Sequence, residues 1–298
     1  MSETNQIELQ NQFNKIGKQL LDCGKLSNCS GSLPSVYEIQ GLIELIKHLL
    51  FPRFYHHSNE TEDSLKLSIP NELEDVFKKL SLEIEKAYSY LSDYESEYEC
   101  EGLDHKAREI TLQLLSELPQ VRQDLECDLA EVMSHDPAAK GTEEVLLAYP
   151  GFEAMTVHRI SHFLHKKEVP LLPRMMSEWV HRRTGIDIHP GAQIAPYCSI
   201  DHGTGLIIGE TTIIGEHVNL FHNVTLGARS VTPEFRGCKR HPTIGKNVII
   251  YPGATILGDI SVGDNSVIGG NVFLLESCVR DSKIYAKPPE TIIHKKTK

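Results

Sequence analysis

A helical N-terminal region followed by a C-terminal parallel β-helix of hexapeptide repeats, an α+β architecture, is the fold class this chain predicts. Three observations carry it. Apolar residues three and four apart recur as far as Arg183, a six-residue aliphatic beat takes over from Ile188, and glycines such as Gly203 and Gly253 recur within that beat. Six residues suit neither an α-helix nor a plain alternating strand. They suit a triangular coil of three short strands and three corners per turn, with one aliphatic side chain per side pointing inward.

The elements follow in order. Val36 to Leu50, Asn71 to Tyr90 and His105 to Leu118 read as amphipathic helices, and Leu125 to Met133, Phe152 to Lys166 and Leu172 to Arg183 continue the series. The polar stretch Arg53 to Pro70 reads as a loop, and Gly151 and Pro170 punctuate the later helices. Ser134-His135-Asp136-Pro137 breaks one helix and can open the next, with Asp136 as its N-cap. The beat then falls at Ile188, Ile194, Ile200, Leu206, Val218 and Val224, with Thr212 its one polar member. It resumes at Ile244, Ile250, Ile256, Val262, Ile268 and Leu274 after fourteen extra residues, Ser230 to Thr243. That insertion is polar, with Pro, Gly and basic residues, so it reads as an extruded loop on the functional face.

Three parts result: a helical domain over residues 1–185, a β-helix over 186–288 with its loop at 230–243, and a short basic tail over 289–298. The helical part suits covering the open end of the β-helix and joining subunits. The face of Val36 to Leu50 reads as core or partner surface.

Composition narrows the function. A formal charge of −11 argues against nucleic acid as a partner, since phosphate binding wants a basic surface. No apolar run approaches the roughly 20 residues of a membrane span, and the polar N-terminus does not read as a signal peptide. Seven scattered cysteines form neither a disulfide framework nor a paired zinc motif, which suits free thiols in a reducing cytoplasm.

Asp187-Ile188-His189-Pro190, Ile200-Asp201-His202-Gly203-Thr204-Gly205, Gly209-Glu210-Thr211, Val224-Thr225-Leu226-Gly227 and Lys239-Arg240-His241-Pro242 together resemble serine O-acetyltransferases, which are hexapeptide-repeat acyltransferases. Upstream, Asp136-Pro137-Ala138 and Gly151-Phe152 to Arg159-Ile160 extend the likeness, which covers roughly residues 120–290. The Asp-His-Gly-Thr-Gly unit at one place in the repeat is far more specific than the repeat itself. The resemblance implies a left-handed coil, against the right-handed rule for parallel crossovers. It implies acetyl transfer from acetyl-CoA, as co-substrate, to the hydroxyl of L-serine, giving O-acetylserine for cysteine biosynthesis in the cytoplasm.

An alcohol attacking a thioester needs a base, and histidine near neutrality supplies one. By resemblance His202 is that base and Asp187 the carboxylate that orients it, with direct attack and no acyl-enzyme. Asp136 and Asp201 are assigned to the substrate ammonium, and Arg240 with His241 to its carboxylate. Gly227, Ala228, Gly253 and Ala254 would line the coenzyme A groove, with Lys246, Lys283 and Lys287 as candidates for its phosphates. No metal is implied.

The family further implies a homotrimer, or a hexamer as a dimer of trimers, whose loop reaches a neighbouring subunit so that the site is shared. It also implies L-cysteine as a feedback inhibitor. Three departures stand out: Pro252 lacks the backbone N–H expected at its position, Ala228-Arg229 follows Gly227 in place of a second glycine, and Ile292-Ile293 are not terminal. A tight complex with O-acetylserine sulfhydrylase through a terminal isoleucine is therefore not expected. Two other readings compete: an acetyltransferase acting on a sugar or homoserine-like hydroxyl, and a zinc-dependent carbonic anhydrase using His181, His217 and His222.

Overall fold

The computed structural model describes residues 33–55, 61–92, 102–230 and 237–287, with scattered positions in 10–19 and at 232 and 234. Seven helices fall in these ranges before the sheets: α1 (Val36–Leu50), α2 (Pro52–Tyr55), α3 (Glu62–Ser92), α4 (Leu103–His135), α5 (Thr142–Ala148), α6 (Pro150–Lys166) and α7 (Leu172–Thr184). The first is well specified locally. Ser35 caps it by accepting from Glu38 N–H, Lys47 and His48 sit in its last turn, and Ile39, Leu42, Ile43, Ile46 and Leu50 bury one face.

Two helices run further than the sequence reading. Residues from Glu62 onward, read as loop, are helical through Pro70, and the segments around Leu118 and Leu125 join across Pro119 into one helix. Each proline removes one backbone donor. Around Pro119, burial of Leu114, Leu118, Val121 and Leu125 along a single face outweighs that loss. Conversely, Asp136 caps the end of α4 rather than opening the next helix, which starts at Thr142. Short α5, with Glu143 and Glu144 in its first turn, lies outside the helices predicted from sequence.

The β-helix has three all-parallel sheets. Sheet A stacks β1 (Asp187–Ile188), β4 (Ile207–Ile208), β7 (Thr225–Gly227), β10 (Thr255–Leu257) and β13 (Phe273–Leu274). Sheet B stacks β2 (Gln193–Ile194), β5 (Ile213–Ile214), β8 (Thr243–Ile244) and β11 (Ser261–Val262). Sheet C stacks β3 (Cys198–Asp201), β6 (Val218–Phe221), β9 (Ile249–Ile250), β12 (Val267–Ile268) and β14 (Lys283–Ile284).

Register refines the six-residue beat. Each side points two residues inward, as Leu206 with Ile208 and Val224 with Leu226 illustrate. Ile208 pairs with Leu226, and Ile256 with Leu274, an ordinary eighteen-residue coil. Ile188, however, pairs with Ile208, twenty residues on. Two extra residues therefore lie in the corner after β3, where His202-Gly203-Thr204-Gly205 follows the strand's last residue, Asp201. From Leu206 to Val224 the beat tracks the first inward position instead of the second. Leu226 pairs with Ile256, thirty residues on, so the extruded loop adds twelve residues rather than fourteen.

Close packing seats the helices on the first coil. A Cβ on Gly151, at the start of α6, would lie 2.2 Å from the carbonyl oxygen of Ile200, so only glycine permits this approach. Gly185 ends α7 with φ +71°, its N–H returning to His181 O, and turns the chain into β1. Helical and β-helical residues share one continuous apolar core. No described helix is long and apolar enough to cross a membrane.

Candidate active site

Two corners of the β-helix hold most of the candidate catalytic and substrate-binding residues. One joins sheet C to sheet A and holds Asp201 and His202. The other joins sheet A to sheet B and holds Glu210, Arg240 and His241. One full side of the prism separates them, on the order of 20 Å of extended chain.

At the first corner, a cleft of about 140 Å³ opens between the end of α4 and sheet C. His135, Asp136, Tyr149, Ser199, Asp201 and Asn219 give it polar walls, and Val132, Ile200 and Ile249 apolar ones. Phe221 and Tyr251, stacked at 5.3 Å, close one side. The two aspartates assigned to the ammonium thus meet in one cleft. Asp136 accepts from Tyr149 Oη at 2.7 Å and from Ala138 N–H at 2.8 Å. The tyrosine bond chiefly holds its carboxyl below the usual range, and the same bond pushes the Tyr149 phenol up to about 12.

His202 sits at this corner with φ 55°, its side chain 74% exposed and its Nε2 3.8 Å from Asp201. His222 of the next coil lies edge-on to its ring at 5.7 Å. Asp187, by contrast, stands on the outward row of sheet A with Ile207, Thr225, Thr255 and Phe273. No hydrogen bond or ion pair joins His202 to Asp187 within the single chain. Asp187 instead lies beside Glu178 and His181, whose ligand atoms come within 4.8 Å of it. This is the one described group able to offer three ligand atoms to a metal, and it is not the three-histidine set of the carbonic anhydrase alternative.

The second corner is tightly bonded. Arg240 forms an ion pair with Glu210, and its N–H donates to Thr211 Oγ1 at 3.0 Å. His241 is buried and its Nδ1 accepts from Thr211 N–H at 3.1 Å. That bond leaves the proton on Nε2, so the ring presents a donor. Burial first, then the Arg240 charge, pulls the His241 pKa down to about 4, so the ring is neutral at pH 7. Burial raises the Glu210 pKa, but the Arg240 bond and charge prevail and leave it lowered.

Candidate cofactor residues divide. Gly227 and Ala228 lie where sheet A meets the second corner, and Gly253 and Ala254 at the first corner two coils away from His202. Lys246 stands on the third corner, between sheets B and C, and is paired with Glu216 at 2.8 Å. Lys283 ends the outward row of sheet C. Pro252 uses its carbonyl to accept from Asn271 N–H at 3.0 Å. The tail from 289 onward lies outside the described residues.

Several residues escaped the sequence reading. Tyr149 holds Asp136, while Asp128 and Glu131, a turn apart on α4, plug into the β-helix. Asp128 takes a bidentate pair from Arg159, with Nη2 to Oδ2 at 2.6 Å, and also Cys198 N–H at 3.0 Å. Burial raises its pKa to about 6 against the opposing pull of Arg159. Charged residues at i and i+3 that interrupt an apolar helix stripe were the signal available.

Fold and corners together define an acyltransferase of the hexapeptide-repeat class. A family model for the N-terminal region of serine acetyltransferases matches residues 97–157, and one for the bacterial transferase hexapeptide (six repeats) matches 241–275. A plasmid serine acetyltransferase of Synechococcus elongatus is 38% identical over 252 residues, covering 82% of this chain and 79% of that relative. Serine acetyltransferase isoform 3 of Entamoeba histolytica, solved in complex with cysteine, superposes with a TM-score of 0.73 at 30% identity, covering 89% of this chain and 86% of that one. A soybean serine acetyltransferase complexed with serine gives 0.56 at 28% identity, with 84% and 97% coverage. The chain belongs to the serine acetyltransferase family.

Proposed function

We propose that this enzyme transfers acetyl from acetyl-CoA to the hydroxyl of L-serine, with His202 as general base. The observation that carries the reading is the cleft in which Asp136 and Asp201 converge beside an exposed histidine. Two carboxylates suit an ammonium. The Arg240 fork and the Nε2–H of His241 suit a carboxylate. Since those donors stand a prism side away in the same chain, one amino acid meets both sets only where the first corner of one copy faces the second corner of another. The outward row of sheet A, with Ile207 and Phe273 exposed, supplies an apolar surface for that packing. A homotrimer, or a pair of trimers, satisfies this head-to-tail geometry.

In the reaction His202 takes the hydroxyl proton as the oxygen attacks the thioester carbon. The carbon–oxygen bond forms, the carbon–sulfur bond breaks, and the imidazolium returns its proton to the departing thiolate. Asp187 orients and supports that imidazolium once the exposed His202 ring turns from Asp201 toward sheet A. Coenzyme A lies along sheet A, past Gly227 and Gly253. L-cysteine, which shares the ammonium and carboxylate of serine, occupies the same cleft as an inhibitor. The test is thiol release from acetyl-CoA with L-serine, homoserine, amino sugars and a blank. Release with L-serine, lost in His202→Ala, is expected; turnover only on another acceptor overturns the reading of Asp136 and Arg240.

A further inference from the structure

The floor of the cleft contains a polar relay that the reaction above does not use. Glu131, with its side chain only 4% exposed, accepts from Asn219 Nδ2 at 3.1 Å and His217 Nδ1 at 2.8 Å, and lies 3.2 Å from His135 Nδ1. Asn219 Oδ1 in turn accepts from the hydroxyl of Ser199. Ser199 and Asn219 both line the cleft with Asp136 and Asp201, and both are buried.

The direction of every bond follows from one end. A carboxylate only accepts, so Asn219 must turn its NH₂ to Glu131 and its carbonyl oxygen to Ser199. Ser199 must then donate, and what remains to face the cleft is its lone pairs. We infer that Glu131 is a positioning residue that acts through Asn219 to hold Ser199 as an acceptor, making the cleft selective for an acceptor substrate that carries an ammonium group. This rests on the serine reading and deepens it. Asp136, Asp201 and Ser199 then form an acceptor-only wall that binds a cation and leaves a hydroxy acid without the amine unpaired.

Were Glu131 merely a prop between α4 and the β-helix, its removal would disturb both substrates. The inference predicts a narrower result. Ser199→Ala and Glu131→Ala should each raise the KM for L-serine about ten- to a hundredfold, the range for losing a hydrogen bond to a charged group. The KM for acetyl-CoA and the Ki of glycerate, which has the hydroxyl and carboxylate but no ammonium, should stay within about twofold. The double variant should be no worse than Ser199→Ala, because Glu131 works through that hydroxyl.

Additive effects, or an equal rise in the KM for acetyl-CoA in Glu131→Ala, overturn the inference. If Glu131→Ala fails to fold, Ser199→Ala decides alone, and an unchanged serine KM sinks it. Wild-type enzyme that releases no thiol with L-serine overturns the parent reading, and this inference with it. That failure is visible before any variant is made.

Discussion

The corners at the two ends of sheet A hold histidines in opposite states. His202 stands in solvent with only a 3.8 Å approach to Asp201. His241 is buried, its Nδ1 bonded to Thr211 and its pKa drawn down to about 4. A base must accept a proton at neutral pH, which a ring held at about 4 does poorly. A donor must keep its N–H fixed, which an exposed ring does poorly. Under the proposed function, the difference suits the first corner to proton transfer and the second to substrate anchoring.

The comparison breaks first at the base. His202→Ala should lower kcat by about 10²-fold or more with acetyl-CoA binding retained. His241→Ala should act chiefly on the KM for serine. Steady-state kinetics with both substrates varied separates the two, and equal losses of kcat would erase the distinction between the corners.

If the two corners of a site belong to different copies, inactive variants should complement each other. His202→Ala and Arg240→Ala chains, each inactive at ordinary serine concentrations, should recover about a quarter of the wild-type sites when unfolded together and reassembled at equal amounts. No recovery from a mixture that reassembles would place both corners of one chain in the same site.

Arg240→Lys sharpens the anchoring role. Lysine keeps the charge but not the two-pronged geometry, so the KM for serine should rise about tenfold while kcat changes little. A kcat loss without a KM change would move Arg240 from anchoring to chemistry.

A smaller effect concerns pH. The Tyr149 bond holds Asp136 below the usual carboxylate range, so Asp136 stays anionic as pH falls. Tyr149→Phe removes that donor and raises the Asp136 pKa. The acid-side loss of serine affinity should then begin at higher pH than in the wild type, read as log(1/KM) against pH. An unmoved acid limb would detach Asp136 from the ammonium. Smallest of all, Lys246→Ala should change the KM for acetyl-CoA by less than about twofold, because an exposed lysine paired with Glu216 gives little to release.

Much of the fold was legible in local order. Period six announced the coils because inward positions repeat at every side, and α1, α6 and α7 showed clear apolar spacing and stops. Continuous α4 was not legible, since Pro119 is a breaker by propensity and only packing over its length outweighs it. The two-residue corner insertion was hidden because each side has two inward positions, so a slipped beat still lands on buried residues, all aliphatic but Thr212. Of the site, Asp136, Asp201 and His202 could be named from motif, whereas Tyr149, Ser199 and Asn219 could not. Their neighbours in space lie 13 to 88 positions away in sequence.

By itself, then, the sequence determined the repeat, the helical region before it and the residue types an acyl transfer to an amino acid requires, because each is written in period or in contiguous motif. Tertiary structure alone decided which of those residues share a cleft. It set Asp136 beside Asp201, left Asp187 apart from His202 and placed Arg240 a prism side away. Convergence depends on coil length and on how α4 docks, through Asp128 on Arg159 and Cys198 N–H, against strands far along the chain. Neither quantity exists until the coils have stacked.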